Sequence, residues 1–168
     1  MNKSSNPLRL NVGYFYNKSI GTSREVPVGA DRITIEDLSV RNLESLVRIS
    51  RTREGLLLQV RAEAEIKTTC VRCLDVFYLP VDIEFEELYQ FPSRYREETD
   101  MVLPEDGYID LSSLYREYLI LAMPIRHLCQ PECKGLCSIC GANLNEILCE
   151  HHQEDETHTE SLIDEEAA

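Results

Sequence analysis

The sequence predicts an α+β fold, in which an antiparallel β-rich domain carries one main helix packed on its sheet and continues into a cysteine-rich C-terminal segment. Apolar and charged residues alternate over 60–67 and again over 81–86, the two-residue period of a strand with one buried face. Residues 110–124 instead repeat apolar side chains at helical spacing. Four cysteines then fall within the twelve residues from Cys129 to Cys140.

The size and composition of the chain set the class of protein. Its 168 residues are enough for one domain with a substantial core and a tail, and 43% hydrophobic with 28% charged residues is typical of a globular protein. No apolar run approaches the roughly 18 residues of a membrane span, and the N-terminal residues lack the apolar region of a secretory signal. We therefore expect a cytoplasmic protein with no membrane partner.

The strands are predicted in chain order. Residues 1–60 contain short β-type runs broken by Gly and Asp, and Glu54-Gly55 lies between the apolar runs 46–49 and 56–60, which predicts a hairpin turn. The alternating strand that follows leads directly to Cys70 and Cys73, and a second alternating strand begins after them. This Cys-x-x-Cys pair is therefore expected in a connection between neighbouring antiparallel strands, either as half of a metal site or as two buried core cysteines.

The remaining segments are a loop, a helix and a tail. Residues 92–107 hold many charges and two prolines, which is typical of a surface loop. Asp110 is placed to cap a helix that Pro124 ends. Residues 150–168 carry eight acidic residues and no Lys or Arg, which predicts a disordered acidic tail.

The cysteines indicate metal rather than disulfides, because thiols stay reduced in the cytoplasm and a count of seven cannot be paired completely. Cys137 and Cys140 precede Gly141, and this knuckle can aim two sulfurs at one point, as in half of a zinc-ribbon-like tetrahedral site. The sequence therefore predicts one or two structural Zn²⁺ ions. The candidate ligands are Cys70, Cys73, Cys129, Cys133, Cys137, Cys140, Cys149 and His151.

Spacing permits two arrangements of these ligands. In the local arrangement a single zinc is held by Cys129, Cys133, Cys137 and Cys140. In the split arrangement Cys70, Cys73, Cys129 and Cys133 form one site, and Cys137, Cys140, Cys149 and His151 form the other. Loop-closure entropy favours the local arrangement, whereas the split arrangement uses all seven cysteines and leaves no reactive thiol.

Catalysis is not expected in either arrangement, because four protein ligands leave no position for water. The sequence also lacks a P-loop, a dinucleotide glycine motif and a nucleophile elbow, so no small-molecule substrate is expected. The alternative function is a thiol-redox protein that uses a Cys-x-x-Cys pair. That activity requires an exposed thiol of low pKa at a helix N-terminus.

The net charge of −13 is unevenly distributed. Residues 1–61 carry ten Lys and Arg against six acidic residues, whereas 62–149 carry seven against sixteen, so RNA contact is expected only in the N-terminal third. A basic protein partner suits the rest of the chain. The alternative for the arginines is a solvated strand face neutralised by Glu63 and Glu65. The candidate RNA contacts, all near the predicted hairpin, are Arg48, Arg51, Arg53 and Arg61.

Several motifs in this order resemble one known family. They are Cys70-Val71-Arg72-Cys73-Leu74, the helix with its exit at Met123-Pro124, Cys133-Lys134-Gly135-Leu136-Cys137 and Cys140-Gly141-Ala142-Asn143-Leu144-Asn145. Over residues 60–150 the chain resembles the YceD family, the large ribosomal RNA subunit accumulation proteins. One departure is Cys149-Glu150-His151, where many relatives have Cys-x-Cys; imidazole is nevertheless an acceptable zinc ligand.

The resemblance implies a noncatalytic factor in ribosomal RNA accumulation and ribosome assembly. Its partners would be ribosomal precursor components, either the RNA or a basic ribosomal or assembly protein. The implied organisation is a single YceD-like domain over 1–149, with the cysteine ribbon at 125–150 and the acidic tail at 150–168.

Overall fold

The computed structural model describes residues 6–92, 101–147 and 149–152. Half of the predicted loop over 92–107, residues 93–100, lies outside the described residues, as does the predicted tail from 153 onward. The elements in chain order are β1 (Arg9–Asn11), β2 (Ser23–Ile35), β3 (Leu38–Arg51), β4 (Gly55–Thr69), β5 (Val76–Gln90), β6 (Tyr108–Asp110) and α1 (Ser112–Ala122).

The main sheet has four strands in the order β2-β3-β4-β5. The pairs β2–β3 and β3–β4 are antiparallel. Strand β5 is also antiparallel to β4. The side chain of Gln59 donates a hydrogen bond to Glu86 and that of Arg61 donates one to Glu84, so the residue numbers rise along one strand as they fall along the other. Strands β1 and β6 form a separate antiparallel pair. The structure confirms the predicted α+β class, with antiparallel strands and one α-helix in the described part of the chain.

The alternating segments form the inner and outer faces of this sheet, as predicted. Val60 and Ile66 are each 1% exposed, while Arg61 and Glu63 between them face solvent. Helix α1 covers the inner face through Tyr115, which is fully buried and shares a hydroxyl hydrogen bond with Ser45 of β3. Burial of these apolar side chains is the main stabilising contribution to the sheet and the helix.

The turn between β3 and β4 confirms the predicted hairpin. Thr52 organises it, because its hydroxyl oxygen accepts hydrogen bonds from the backbone N–H groups of Glu54 and Gly55. Gly55 is required there for space, since a Cβ at this position would lie 1.9 Å from the carbonyl oxygen of Tyr89. The helix limits, Ser112–Ala122, are close to the prediction, but the predicted cap was wrong: the N-cap residue is Leu111, which makes no side-chain cap hydrogen bond. Asp110 instead ends β6, and its carboxylate accepts a hydrogen bond from the N–H of Ser112 at 2.9 Å.

The chain forms two compact units. The sheet unit comprises Met1–Lys67 and Leu79–Pro124, and the cysteine unit comprises Thr68–Tyr78 and Ile125–Ala168. That residues 1–149 fold together as a single domain stays a prediction. In the described part of the chain, no helix has the length and apolar composition that a membrane span requires.

Candidate metal centres

The cysteine unit gathers the eight candidate ligands into two groups of four. Within each group the ligand atoms all lie within 4.8 Å of one another. The first centre consists of Cys70, Cys73, Cys129 and Cys133, and the second centre consists of Cys137, Cys140, Cys149 and His151. This grouping is that of the split arrangement, so the first two ribbon cysteines lie with the hairpin cysteines and not with the knuckle.

The first centre joins a hairpin turn to the start of the ribbon. The turn between β4 and β5 is closed by a hydrogen bond from the N–H of Cys70 to the carbonyl of Asp75 at 2.9 Å, and Leu74 has the left-handed φ of 63°. This conformation is ordinarily favoured by glycine, so Leu74 fills the role that a glycine has in a typical knuckle. Cys70 and Cys73 thereby present both sulfurs on one side of the turn.

The sulfur separations in the first centre match a tetrahedral metal site. The Sγ atoms of Cys70 and Cys133 are 3.7 Å apart, and those of Cys73 and Cys129 are 3.5 Å apart. A tetrahedron with the usual zinc–sulfur bond has an edge of about 3.8 Å. A disulfide would require a separation of about 2 Å, and all seven cysteines are free.

Burial and hydrogen bonds hold these sulfurs in place. Cys70, Cys73 and Cys133 are buried, and Phe77 and Leu128 pack against them. The backbone N–H of Arg72 donates to the sulfur of Cys70 at 3.5 Å. Its guanidinium donates to the carbonyl of Cys133 at 2.6 Å. A dry site with oriented donors is typical of structural metal centres.

The electrostatics of the first centre favour a bound cation. Burial raises the pKa of Cys70, but the backbone N–H groups of Cys73 and Arg72 outweigh it and bring that pKa to about 6. The net effect on Cys73 is a raised pKa. The backbone N–H of Asp75 lowers that pKa, but burial and the neighbouring thiols together raise it by more. Burial also raises the pKa of Cys129. The pKa of Cys70 is thus lowered while those of Cys73 and Cys129 are raised, and a bound divalent cation would favour ionisation of all three thiols.

The second centre is built on the glycine knuckle and is more open. The N–H of Gly141 donates to the carbonyl of Cys137 at 2.9 Å, and Gly141 has a φ of 73°. The backbone N–H groups of Cys140 and Ile139 lower the pKa of Cys137 to about 6, against the effect of burial. Cys140 and His151 are exposed, so this centre has much less protection from solvent than the first.

Two asparagines, neither of them predicted as a site residue, support the first centre. Asn145 donates its side-chain N–H to the sulfur of Cys133 at 3.4 Å and accepts from the N–H of Lys134 at 2.8 Å. Asn143 donates to the carboxylate of Asp75 at 2.9 Å and accepts from Asn145. In the sequence both asparagines lie between Cys140 and Cys149. Their position directly after the Cys137–Gly141 knuckle is the sequence feature from which they could have been predicted.

The four candidate RNA-contacting arginines lie in two places of the sheet unit. Arg48 is opposite Gln59 and Arg61 is opposite Leu46, so these two arginines are diagonal neighbours on the outer face of the sheet. Arg61 forms an ion pair with Glu84 at 2.8 Å.

The other two arginines, Arg51 and Arg53, lie at the hairpin end. The guanidinium of Arg51 is 4.0 Å from the ring centroid of Phe91, and Arg53 is exposed. RNA contact by any of the four arginines stays a prediction.

These features define the class as an α+β protein with two four-ligand, cysteine-based candidate metal centres. The family model of the large ribosomal RNA subunit accumulation protein YceD matches residues 58–162, and the chain belongs to this family. An uncharacterized protein of Mycobacterium tuberculosis is 28% identical over 121 residues, which cover 70% of this chain and 58% of that protein. The chain thus spans little more than half the length of the mycobacterial relatives that it matches.

Plant relatives match a shorter stretch. The large ribosomal RNA subunit accumulation protein YCED homolog 1, chloroplastic, of Zea mays is 36% identical over 64 residues, which cover 38% of this chain and 18% of that protein. The Arabidopsis thaliana protein of the same name is 34% identical over 73 residues, covering 44% of this chain and 19% of that protein. No solved structure matches the chain.

Proposed function

We propose that this protein is a noncatalytic factor that supports accumulation of the large-subunit ribosomal RNA during ribosome assembly, with two structural zinc ions holding its cysteine unit. The observation that carries the structural part is the convergence of eight ligand atoms into two groups of four. The family, named for accumulation of this RNA, supports the cellular role. In a bacterium this role requires a cytoplasmic protein.

The donor sets favour zinc over other cations. Four thiolates, or three thiolates and an imidazole, are the usual ligands of structural zinc, whereas magnesium and calcium prefer oxygen. The first centre would use Cys70, Cys73, Cys129 and Cys133. The second would use Cys137, Cys140, Cys149 and His151. When bound, the first ion would link chain segments that are distant in sequence, and the second would close the local segment from Cys137 to His151.

The closed coordination supports a structural and not a catalytic role. Four protein donors fill a tetrahedral zinc, so no position remains for an activated water. Thiol exchange has less support at Cys70 and Cys73, because they lie in a β-hairpin turn and are buried, whereas a redox pair needs an accessible thiol. The second pair includes the exposed Cys140, but Cys137 and Cys140 lie in a turn and not at the start of a helix. The low pKa of Cys70 is explained by the backbone N–H groups that surround its sulfur.

The partner would be a component of the precursor of the large ribosomal subunit, either its RNA or a basic ribosomal or assembly protein. Depletion of the protein, followed by sedimentation of ribosomes and measurement of both ribosomal RNAs, tests the role. We expect large-subunit RNA to fall relative to small-subunit RNA and to recover with the wild-type protein. Unchanged RNA ratios in depleted cells would contradict the proposal.

The metal requirement has its own test. Native mass spectrometry should detect two zinc ions per chain in the wild-type protein and one in each of the Cys70→Ser and Cys149→Ser variants. One zinc ion in the parent and in both variants would exclude the split arrangement.

A further inference from the structure

The outer face of the main sheet carries an unusual row of charges. The strand register places Glu44 of β3 directly opposite Glu63 of β4. Asp82 of β5 lines the same shallow depression as these two glutamates. Like charges directly opposite each other destabilise a sheet, so this row weakens the strand pairing that it lies on.

The neighbouring charges on this face are paired, whereas this row is not. Arg61 forms an ion pair with Glu84 at 2.8 Å, and Arg41 forms one with Glu65 at 2.5 Å. Among residues 6–92, 101–147 and 149–152, no side-chain hydrogen bond or ion pair reaches the carboxylates of Glu44, Glu63 and Asp82. Arg61 lines the same depression but pairs with Glu84, so the three carboxylates leave a local excess of negative charge there.

An exposed apolar side chain lies beside these carboxylates. Leu46 is adjacent to Glu44 on the same face of β3 and is 45% exposed. Leu46, Glu63 and Asp82 line a depression of about 540 Å³. On β2 the positions opposite Leu46 and Glu44 are Pro27 and Gly29, so no long side chain covers them from the neighbouring strand.

This combination selects one class of occupant. A single metal ion does not fit, because among the described residues only the two cysteine-based groups bring three or more ligand atoms within 4.8 Å of one another. RNA does not fit either, since its phosphates would meet the three carboxylates. A peptide with Lys or Arg side chains and one apolar residue would satisfy the carboxylates and cover the leucine.

We propose that the outer sheet face around Glu44, Leu46 and Glu63 binds a basic polypeptide segment of a partner protein. The cationic side chains of that segment lie over the carboxylate row, and an apolar side chain covers Leu46. The identity of the partner as a ribosomal or assembly protein rests on the proposed function, whereas the binding surface itself does not.

The binding test uses the full-length protein and a fluorescein-labelled decalysine peptide with leucine at its centre, followed by fluorescence anisotropy at low salt. The variant Glu44→Gln with Glu63→Gln removes two charges from the row. The control variant Glu105→Gln with Glu117→Gln removes two exposed charges elsewhere in the sheet unit. We expect about tenfold weaker binding for the first variant and less than about twofold for the control.

Folding is checked by thermal melting, and loss of folding is not expected because neutralisation relieves a repulsion. An equal loss of affinity in both double variants would overturn the proposal, since attraction would then depend only on net charge. Replacement of Leu46 by Ser should lower the affinity for the leucine-containing peptide more than the affinity for plain decalysine. Tighter binding of a labelled RNA 20-mer than of either peptide would also overturn it.

The cellular test separates this proposal from the proposed function. Wild-type protein and the Glu44→Gln, Glu63→Gln variant are each returned to depleted cells, and large-subunit RNA is measured. Failure of the wild-type protein to restore the RNA would contradict the proposed function. Restoration by both proteins to the same level would overturn only the docking surface, and restoration by the wild-type protein alone would support it.

Discussion

Replacement of Asn145 by Asp should weaken zinc binding at the first centre without disturbing the second. The side-chain oxygen of Asn145 accepts from the N–H of Lys134, so its NH₂ group must face the sulfur of Cys133. Asp has nearly the same shape and keeps the acceptor. It loses the donor, however, and places an anionic oxygen against a thiolate.

The expected magnitude follows from the contact with Cys133, to which loss of the hydrogen bond from Asn145 to Asn143 would add. A hydrogen bond to a charged acceptor contributes about 1.5–3 kcal/mol, which corresponds to a change of roughly 10- to 150-fold in affinity. Substitutions of groups that bond to metal ligands typically lower metal affinity by about 10–100-fold. We therefore expect the zinc affinity of the first centre to fall by about 10–100-fold.

The assay is competition with a chromophoric chelator in a Cys149→Ser background, in which only the first centre is complete. The matched control is Gln130→Ala. The Gln130 side chain donates to the side-chain oxygen of Asn145 at 3.3 Å, and it makes no hydrogen bond to a sulfur within the part of the chain that the structure describes. We expect less than about a threefold change for this control. Equal zinc affinities for the Asn145→Asp protein and its parent would refute the assigned role of Asn145.

Three further predictions follow from exposure and packing. The second centre should lose zinc to a chelator before the first, because two of its ligands are exposed; the fast phase should disappear in Cys149→Ser protein. Gly55→Ala should lower the free energy of unfolding by about 3 kcal/mol or more, measured by urea denaturation, because its Cβ would overlap the carbonyl of Tyr89. Glu63→Gln should raise that free energy by about 0.5 kcal/mol, since Glu63 faces Glu44.

The strands flanking the hairpin cysteines were predictable because each has one buried and one solvated face. Val60 and Ile66 alternate with charged residues, and this two-residue period is visible in any window of the sequence. Strand β2 was predicted only as short runs broken by Gly and Asp, and its interior also holds Pro27 beside Gly29. An edge strand tolerates both residues because one side of its backbone needs no partner, and Ser23–Ile35 is such an edge.

The sequence alone left the grouping of the metal ligands open. Cys73 and Cys129 are separated by 55 residues, and a closure of that length appears unfavourable when it is counted along an unstructured chain. That entropic cost is smaller where the intervening strands and helix already bring the ends of the segment together. The contribution of Asn145 was also hidden, because a donor to a thiolate has no sequence pattern of its own.

The arginines demonstrate why a charge pattern along the chain differs from the charge pattern on a sheet. Four of them fall within fourteen residues, which suggested a basic patch for RNA. The register places Arg48 and Arg61 on the outer face, where β5 contributes Glu84 and Glu86 from more than twenty residues away. The other two lie at the hairpin end and not on this face. Pairing with β5 therefore gives the outer face an acidic character, and a basic polypeptide is the better partner for it.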